Sequence, residues 1–116
     1  MSGRTSKVKG ANYEREIAEV FRDAFPDAKR GIGQARSASE VADVEGTPFW
    51  IECKHRKAEN PRAALNQAVL AQLAAGAKHK GKVPIVVSRV PGTREDELVS
   101  DIVTMRLEDF LALLET

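Results

Sequence analysis

The chain has 116 residues, of which 42% are hydrophobic and 30% charged, with a formal net charge of +1. This length and composition favour a single globular domain, and no apolar run is long enough to cross a bilayer. The one cysteine, Cys53, excludes an internal disulfide, and with only two histidines beside it a structural zinc site is not expected. The polar, basic start has no signal-peptide core, which favours a reducing, cytoplasmic setting.

The charges are distributed unevenly along the chain. Residues 60–94 hold six basic and no acidic side chains, whereas residues 95–116 hold one basic and seven acidic ones. Residues 37–59 form an acidic centre, in which five acids outnumber three bases. A basic body around an acidic centre suits a polyanionic substrate that meets a metal site. The alternative is a dipolar surface without functional meaning.

The chain is predicted to begin with a flexible basic arm over residues 1–10, whose Lys7 and Lys9 either contact phosphates or belong to a disordered terminus. A helix is predicted over residues 13–25, where apolar side chains recur at helical spacing and a proline follows. Glu14 lies near the apolar arc of this helix. A half-buried carboxylate usually has a partner, so Glu14 either reaches into the fold or is a first-turn acid favoured by the helix dipole.

Residues 27–39 are predicted to form a weak strand or an irregular segment that leads into the centre of the chain. Small or basic side chains close this segment: Arg36, Ser37 and Ser39. They come shortly before Asp43 in the sequence. They either contact a phosphate or form an ordinary polar loop.

A β-hairpin is predicted over residues 41–54, because β-branched and aromatic residues flank a Gly-Thr-Pro turn. Alternation in its second strand gives one apolar face, and places these three side chains together on the other face: Trp50, Glu52 and Lys54. Asp43 lies on the preceding strand. Two carboxylates on neighbouring strands suit a hard divalent cation, and a lysine beside them suits the orientation of water or the stabilisation of negative charge. The alternative is a surface hairpin with an ordinary Glu–Lys pair.

A second helix is predicted to begin at Pro61, with Asn60 as its N-cap, and to run to about Lys80, where Gly81 closes it. Its predicted apolar spine is Leu65, Val69 and Leu73, and its many alanines allow close packing on a sheet or another helix. Two glutamines on this helix either reach the neighbourhood of the two carboxylates or face solvent: Gln67 and Gln72.

The remaining elements are a buried strand over residues 83–88, a strand over residues 102–105 and a terminal amphipathic helix from Leu107. The predicted order is therefore helix, three strands, helix, two strands and helix. A strand, a helix and a strand in succession imply parallel pairing with a right-handed crossover. The hairpin adds antiparallel strands, so an α/β fold with a mixed sheet covered by helices is expected.

The combination of these segments resembles the PD-(D/E)XK nuclease superfamily and, within it, the archaeal-type Holliday-junction resolvases and their phage relatives. The resemblance rests on four segments in the order of that family: KGANYERE at 9–16, RSAS at 36–39, ADV at 42–44 and IECK at 51–54. With the following helix and strand it covers roughly residues 7–90. The chain departs from the family pattern at Ala42, where many members have proline, and in its mild basic balance.

The resemblance implies a restriction-endonuclease-like mixed sheet, an αβββαβ core with a further strand and helix, in a single nuclease domain over residues 11–116. Asp43, Glu52 and the backbone carbonyl of Cys53 would bind Mg²⁺, with Mn²⁺ as the alternative. Glu14 would complete the site directly or through a water, and Lys54 would position or activate the attacking water. The reaction would be in-line hydrolysis of a DNA phosphodiester.

The resemblance also implies DNA as partner, in the form of a four-way junction, and a two-fold homodimer acting in DNA recombination and repair without a membrane. The cell would be bacterial, archaeal or a phage-infected host. The expected DNA contacts are Lys7, Lys9, Arg36, Ser37, Ser39, His55, Arg56 and Lys57. The alternatives are cleavage of flaps, nicks or restriction-type duplex sites, and a non-cleaving recombination accessory domain. The accessory role is disfavoured because all four catalytic positions carry competent side chains.

Overall fold

A computed structural model describes residues 2–31, 41–92 and 98–115, with the side chains of residues 2–7 excepted. The elements in chain order are α1 (Ser2–Phe21), β1 (Lys29–Arg30), β2 (Val44–Glu45), β3 (Phe49–His55), α2 (Pro61–Ala74), β4 (Val83–Arg89), β5 (Ile102–Thr104) and α3 (Leu107–Leu114). A short 3₁₀ helix, Ala77–His79, lies between α2 and β4. In this part of the chain no helix is long and apolar enough to span a membrane.

The five strands form one mixed sheet in the order of the sequence, β1-β2-β3-β4-β5. All neighbours are antiparallel except β3 and β4, which run parallel from the pair Phe49 and Val83 to the pair His55 and Arg89. The helix α2 makes the crossover between them, as parallel pairing requires. The predicted α/β class and mixed sheet covered by helices are therefore confirmed.

Helices cover both faces of the sheet. On one face α1 packs Tyr13 and Ile17 against Val44, Ile51 and Val87. On the other face α2 packs its alanines against two fully or nearly buried side chains, Trp50 and Val86. The sequence predicted one apolar face for the hairpin, but Trp50 makes the opposite face a core as well. Polar groups of β3 are therefore confined to its carboxyl end.

The first helix differs from the prediction at both ends. It begins at Ser2, so the predicted flexible arm of residues 1–10 is helical from Ser2 onward. Extending an established helix adds a hydrogen bond for each residue fixed, which favours such continuation. The helix ends at Phe21 rather than at Phe25, and residues 22–25 continue as hydrogen-bonded turns, in which the Phe25 amide donates to the carbonyl of Phe21 at 2.8 Å. The turn that follows places Phe25 edge-on to Phe49 of β3.

The second helix ends at Ala74, and its predicted extension to Lys80 is wrong. Gly76 adopts a φ of +98°, a conformation that L side chains rarely adopt, and this residue turns the chain. Gln72 is buried and donates hydrogen bonds to the carbonyls of His79, at 2.6 Å, and Lys80, at 3.3 Å. The predicted spine is also wrong at its end, since Leu73 is 68% exposed. Alanines supply the buried stripe, which lets α2 lie close to the sheet.

We expect Gly31→Ala to destabilise the protein by more than about 2 kcal/mol. Gly31 follows β1, and its amide donates to the carbonyl of Asp43 at 2.8 Å. A Cβ atom there would lie 1.9 Å from the carbonyl oxygen of Ala42, so the backbone beside Asp43 would have to move. Urea unfolding followed by circular dichroism measures the change. Gly81→Ala is the matched control, because a Cβ at Gly81 meets no atom of the described residues within 4 Å. Equal stability of the two variants would contradict this account.

Candidate active site

The two central carboxylates are held by the hairpin backbone. The amide of Asp43, just before β2, donates to the carbonyl of Ile51 at 2.9 Å. The Asp43 carboxylate in turn accepts a hydrogen bond from the amide of Cys53 at 2.8 Å. Glu52 lies between these two contacts on β3 and accepts a 2.8 Å hydrogen bond from the indole nitrogen of Trp50. Both carboxylates are therefore oriented by groups of the same hairpin.

The pKa of Glu52 is shifted by its burial and by the nearby charge of Asp43. Burial raises the pKa of Glu52 to about 8, and the negative charge of Asp43 contributes in the same direction. The Trp50 hydrogen bond and the charge of Lys54 oppose this shift but do not cancel it. Two acids in a poorly solvated place disfavour each other's charged forms. A bound cation would relieve this repulsion.

Glu14 reaches the same region from α1. Its carboxylate accepts a 2.7 Å hydrogen bond from Nε of Arg30 on β1, in an ion pair. Burial raises the pKa of Glu14, the Arg30 bond opposes the rise, and the charge of Asp43 adds to it. Of the two alternatives for Glu14, the structure supports a partner inside the fold. That partner, Arg30, was not predicted as a site residue.

All four predicted catalytic side chains line one open cleft of about 740 Å³: Glu14, Asp43, Glu52 and Lys54. Cys53 lines it too, and four of the predicted DNA contacts form part of its walls: Lys9, His55, Arg56 and Lys57. Lys7 lies in α1, but its side chain is outside the described residues. The other predicted contacts lie wholly outside the described residues: Arg36, Ser37 and Ser39.

The oxygen atoms in the cleft suit a hard divalent cation, although they do not form a complete coordination shell. Among the described residues, no three Asp, Glu, His or Cys side chains are grouped so that they could hold a metal ion. Asp43, Glu52 and the Cys53 carbonyl offer oxygen atoms, the ligands that Mg²⁺ and Mn²⁺ prefer. Burial and then the charge of Asp43 raise the pKa of Glu52, and a cation bound beside it would favour its charged form. These residues therefore fit a divalent ion in chemistry, while Glu14 is engaged by Arg30.

His55 and Cys53 contribute packing rather than titratable chemistry at the cleft. The His55 ring lies against Tyr13 in a tilted arrangement with centroids 5.0 Å apart, and its buried Nδ1 has no hydrogen-bond partner among the described residues. Burial, followed by the charges of Arg89 and Lys9, lowers the pKa of His55. Burial also raises the pKa of the Cys53 thiol, which stays protonated. A neutral imidazole is a weak ligand for phosphate compared with the cations beside it.

An ionic cluster that sequence reasoning missed holds α1 to the ends of β4 and β5. The Arg89 cluster consists of Tyr13, Glu16, Arg89 and Asp101. Arg89 donates to Asp101 through two nitrogens at 2.8 Å and to both carboxylate oxygens of Glu16 at 2.5 and 3.2 Å. The Tyr13 hydroxyl donates to Asp101 at 2.9 Å. Because Glu14 lies between two members of this cluster, the cluster fixes where Glu14 enters the cleft.

The two glutamines of α2 have different positions. Gln67 lines a smaller depression of about 240 Å³ together with Glu52 and Lys54, so it does reach the neighbourhood of the carboxylates. Gln72 does not reach the carboxylates, because its amide donates hydrogen bonds to the carbonyls of His79 and Lys80 beyond the end of α2.

Comparisons of the chain with protein-family models, with curated proteins and with solved structures found no match.

Proposed function

We propose that this protein is a Mg²⁺-dependent, structure-selective DNA endonuclease that resolves four-way junctions as a homodimer, with a restriction-endonuclease-like fold. One observation carries the proposal. Asp43, just before β2, and Glu52, on the adjacent strand β3, line one cleft together with Glu14 and Lys54. Basic side chains form part of the walls of the same cleft. Phosphodiester hydrolysis of this kind uses carboxylates that bind a metal ion and basic side chains that bind the phosphate backbone. Both kinds of side chain line this cleft.

In this proposal each side chain has a separate task. Asp43, Glu52 and the Cys53 carbonyl would hold Mg²⁺, which would supply charge stabilisation at the scissile phosphate and a lower pKa for the attacking water. The Cys53 amide and the Trp50 indole keep the two carboxylates in place, as the observed hydrogen bonds indicate. The Lys54 ammonium donates a hydrogen bond to the water or to the developing negative charge. Glu14 adds negative charge from α1.

The walls of the cleft bind the DNA backbone. Lys9, Arg56 and Lys57 carry positive charge beside the carboxylates, where a sugar-phosphate strand would lie. A four-way junction needs two symmetric cuts, and a two-fold dimer presents two such clefts in the required symmetry. The basic walls support DNA as the substrate class, and the resemblance to resolvases supports the junction.

The test is incubation of the purified protein with a labelled four-way junction, a flap and a linear duplex, each with Mg²⁺, Mn²⁺ or EDTA. Paired symmetric nicks in the junction alone, absent in EDTA, are the expected result. Cleavage of the flap or duplex instead would keep the metal chemistry and change the substrate. Tight binding of the junction without cleavage, whichever metal ion is present, would indicate a non-cleaving accessory domain instead of an enzyme.

We expect junction binding in EDTA to weaken at least about tenfold between roughly 50 and 200 mM salt, because phosphate contacts release counterions. Lys57→Gln should weaken binding and reduce the slope of log Kd against log salt by about one. Lys78→Gln serves as the control, since Lys78 is also exposed but lies beyond α2, away from the cleft. Fluorescence anisotropy measures all three proteins. A flat salt response of the wild type would argue against a DNA substrate.

A further inference from the structure

A second pocket opens beside the cleft, on the face of the sheet that α2 covers. It has a volume of about 210 Å³ and lies between the ends of β3 and β4, the chain that follows β3 and the first turns of α2. We call it the α2 pocket, and its walls include Lys54, Arg56, Ala64, Gln67, Val86 and Ser88. Two of these side chains, Lys54 and Arg56, also line the cleft, so the two cavities are neighbours.

The alternation of side chains along β3 and β4 explains why a cavity forms at this place. Trp50 of β3 packs against the alanines of α2. Because the period of a strand is two, Lys54 points to the same face four residues later, and it pairs in register with Ser88 of β4. Ser88 and the helix residue Ala64 both have short side chains. They leave open, at the carboxyl ends of the strands, the space that Trp50 fills closer to their start.

The lining of the α2 pocket suits a flat ring with a polar edge. Val86 is 2% exposed and, with Ala64, gives apolar surface. Ser88, which is 6% exposed, adds a hydroxyl, and Gln67 adds an amide that can both donate and accept hydrogen bonds. A cavity of roughly 150 Å³ accepts a benzene ring, so there is room for a nucleobase. A phosphate is a poorer match, because the carboxylate of Glu59 also lines the pocket.

The location of the pocket relates it to the proposed function. In α/β proteins, ligands commonly bind in crevices at the carboxyl ends of parallel strands, and β3 and β4 are the parallel pair of this sheet. Since Lys54 and Arg56 belong to both cavities, a DNA strand with a phosphate in the cleft has its neighbouring nucleotides next to the α2 pocket.

We propose that the α2 pocket receives one unpaired nucleobase of the DNA strand that occupies the cleft. The proposal rests on the proposed function and deepens it, since it names the feature of the substrate that is selected. A base can enter only after it leaves the stack, which costs least where the base is already unpaired. Branch points and single-stranded flaps offer such bases, whereas continuous duplex does not. The pocket therefore favours branched DNA over duplex.

Abasic sites in a four-way junction and in a flap test the pocket. Nucleotides near the branch point are replaced by an abasic site one at a time, and binding is measured in EDTA by fluorescence anisotropy. For the wild type, one position should weaken binding by about tenfold, as expected for the loss of a single base contact. Ala64→Leu, which puts a larger side chain into the pocket, should weaken binding of the intact DNA by about as much. It should lose nothing further at the abasic position, because the two changes remove the same contact.

A second variant keeps the test valid if Ala64→Leu does not fold, which circular dichroism shows. Gln67→Leu lies at an exposed position of α2 and removes only the amide. It should weaken binding of the intact DNA at least about threefold and reduce the abasic effect, because the hydrogen bonds to the base edge are lost. Asn66→Leu is the matched control, since Asn66 is also exposed on α2 but does not line the pocket. It should show the abasic effect of the wild type.

Two outcomes would overturn the base pocket. One is a wild type that binds every abasic DNA as tightly as the intact DNA, and the other is a folded Ala64→Leu or Gln67→Leu variant that keeps the full abasic effect. The nuclease proposal fails separately, because binding in EDTA does not depend on cleavage. An abasic effect without any cut would refute only the nuclease, and paired junction cuts without an abasic effect would refute only the pocket. A protein that binds neither the junction nor the flap would refute both.

Discussion

Asp43→Asn is expected to abolish DNA cleavage while leaving junction binding nearly unchanged. The substitution removes one of the two charges that would hold Mg²⁺. The expected loss in rate exceeds about 100-fold, because mutating groups that merely orient a metal ligand already costs 10- to 100-fold. The fold should survive, since the asparagine oxygen can still accept the hydrogen bond from the Cys53 amide. Single-turnover cleavage with Mg²⁺ and anisotropy binding in EDTA measure the two effects.

Glu45→Gln is the matched control for this substitution. It also neutralises one carboxylate of the hairpin, but Glu45 lies on β2 opposite Lys29 and does not line the cleft. Its cleavage rate should stay within about threefold of the wild type. Mg²⁺ should also raise the melting temperature of the wild type and of Glu45→Gln, but not of Asp43→Asn, because a ligand stabilises only the state that binds it. Normal cleavage by Asp43→Asn would refute the site assignment.

The centre of the fold could be predicted because its signals are local. Alternation over β3 identified the strand that carries Glu52 and Lys54, and the strand–helix–strand order implied parallel pairing with β4. The turn around Gly46, whose φ is +85°, fixed the hairpin that brings Asp43 across from β3. The hairpin segment alone therefore determines most of the placement of three predicted catalytic residues, Asp43, Glu52 and Lys54.

The contacts that surround this centre could not be predicted, since they join residues far apart in the sequence. Arg30 of β1 donates a hydrogen bond to Glu14 of α1. Arg89 of β4 donates hydrogen bonds to Glu16 of α1 and to Asp101, just before β5. Each is an ordinary charged residue when seen in its own segment. Only the tertiary arrangement pairs them. The same arrangement buries Trp50 against α2, on the face of the sheet that was expected to be polar.

Helix ends were predicted less well, because competing signals lie close together. Gly81 was expected to end α2, yet Gly76 comes first in the chain and adopts the positive φ that ends a helix. Gln72 donates hydrogen bonds to two carbonyl groups beyond that end, so its side chain points away from the carboxylates of the cleft. The error therefore also explains why only Gln67 remains near the carboxylates.

Without divalent ions, the protein is expected to lose stability as the pH rises from about 5 to about 9. Glu52 has an ordinary pKa of 4.5, which the fold raises to about 8. Between these values the folded state binds more protons than the unfolded state, so the free energy of unfolding falls as the pH rises. Burial beside Asp43 causes this effect, because the charged form of Glu52 is the one that the fold disfavours.

Glu52→Gln should therefore stabilise the protein at pH 9 by roughly 1 to 3 kcal/mol while abolishing cleavage. Urea unfolding in EDTA, repeated between pH 5 and 9, should show the two proteins converging near pH 5, where Glu52 is protonated in the folded state. Glu59→Gln, at an exposed position near the start of α2, should leave the pH profile unchanged. Equal stability of Glu52→Gln and the wild type at pH 9 would mean that burial and the charge of Asp43 do not raise the pKa of Glu52. The cleft would then lose the electrostatic reason for binding a cation, and with it the main physical support for a nuclease.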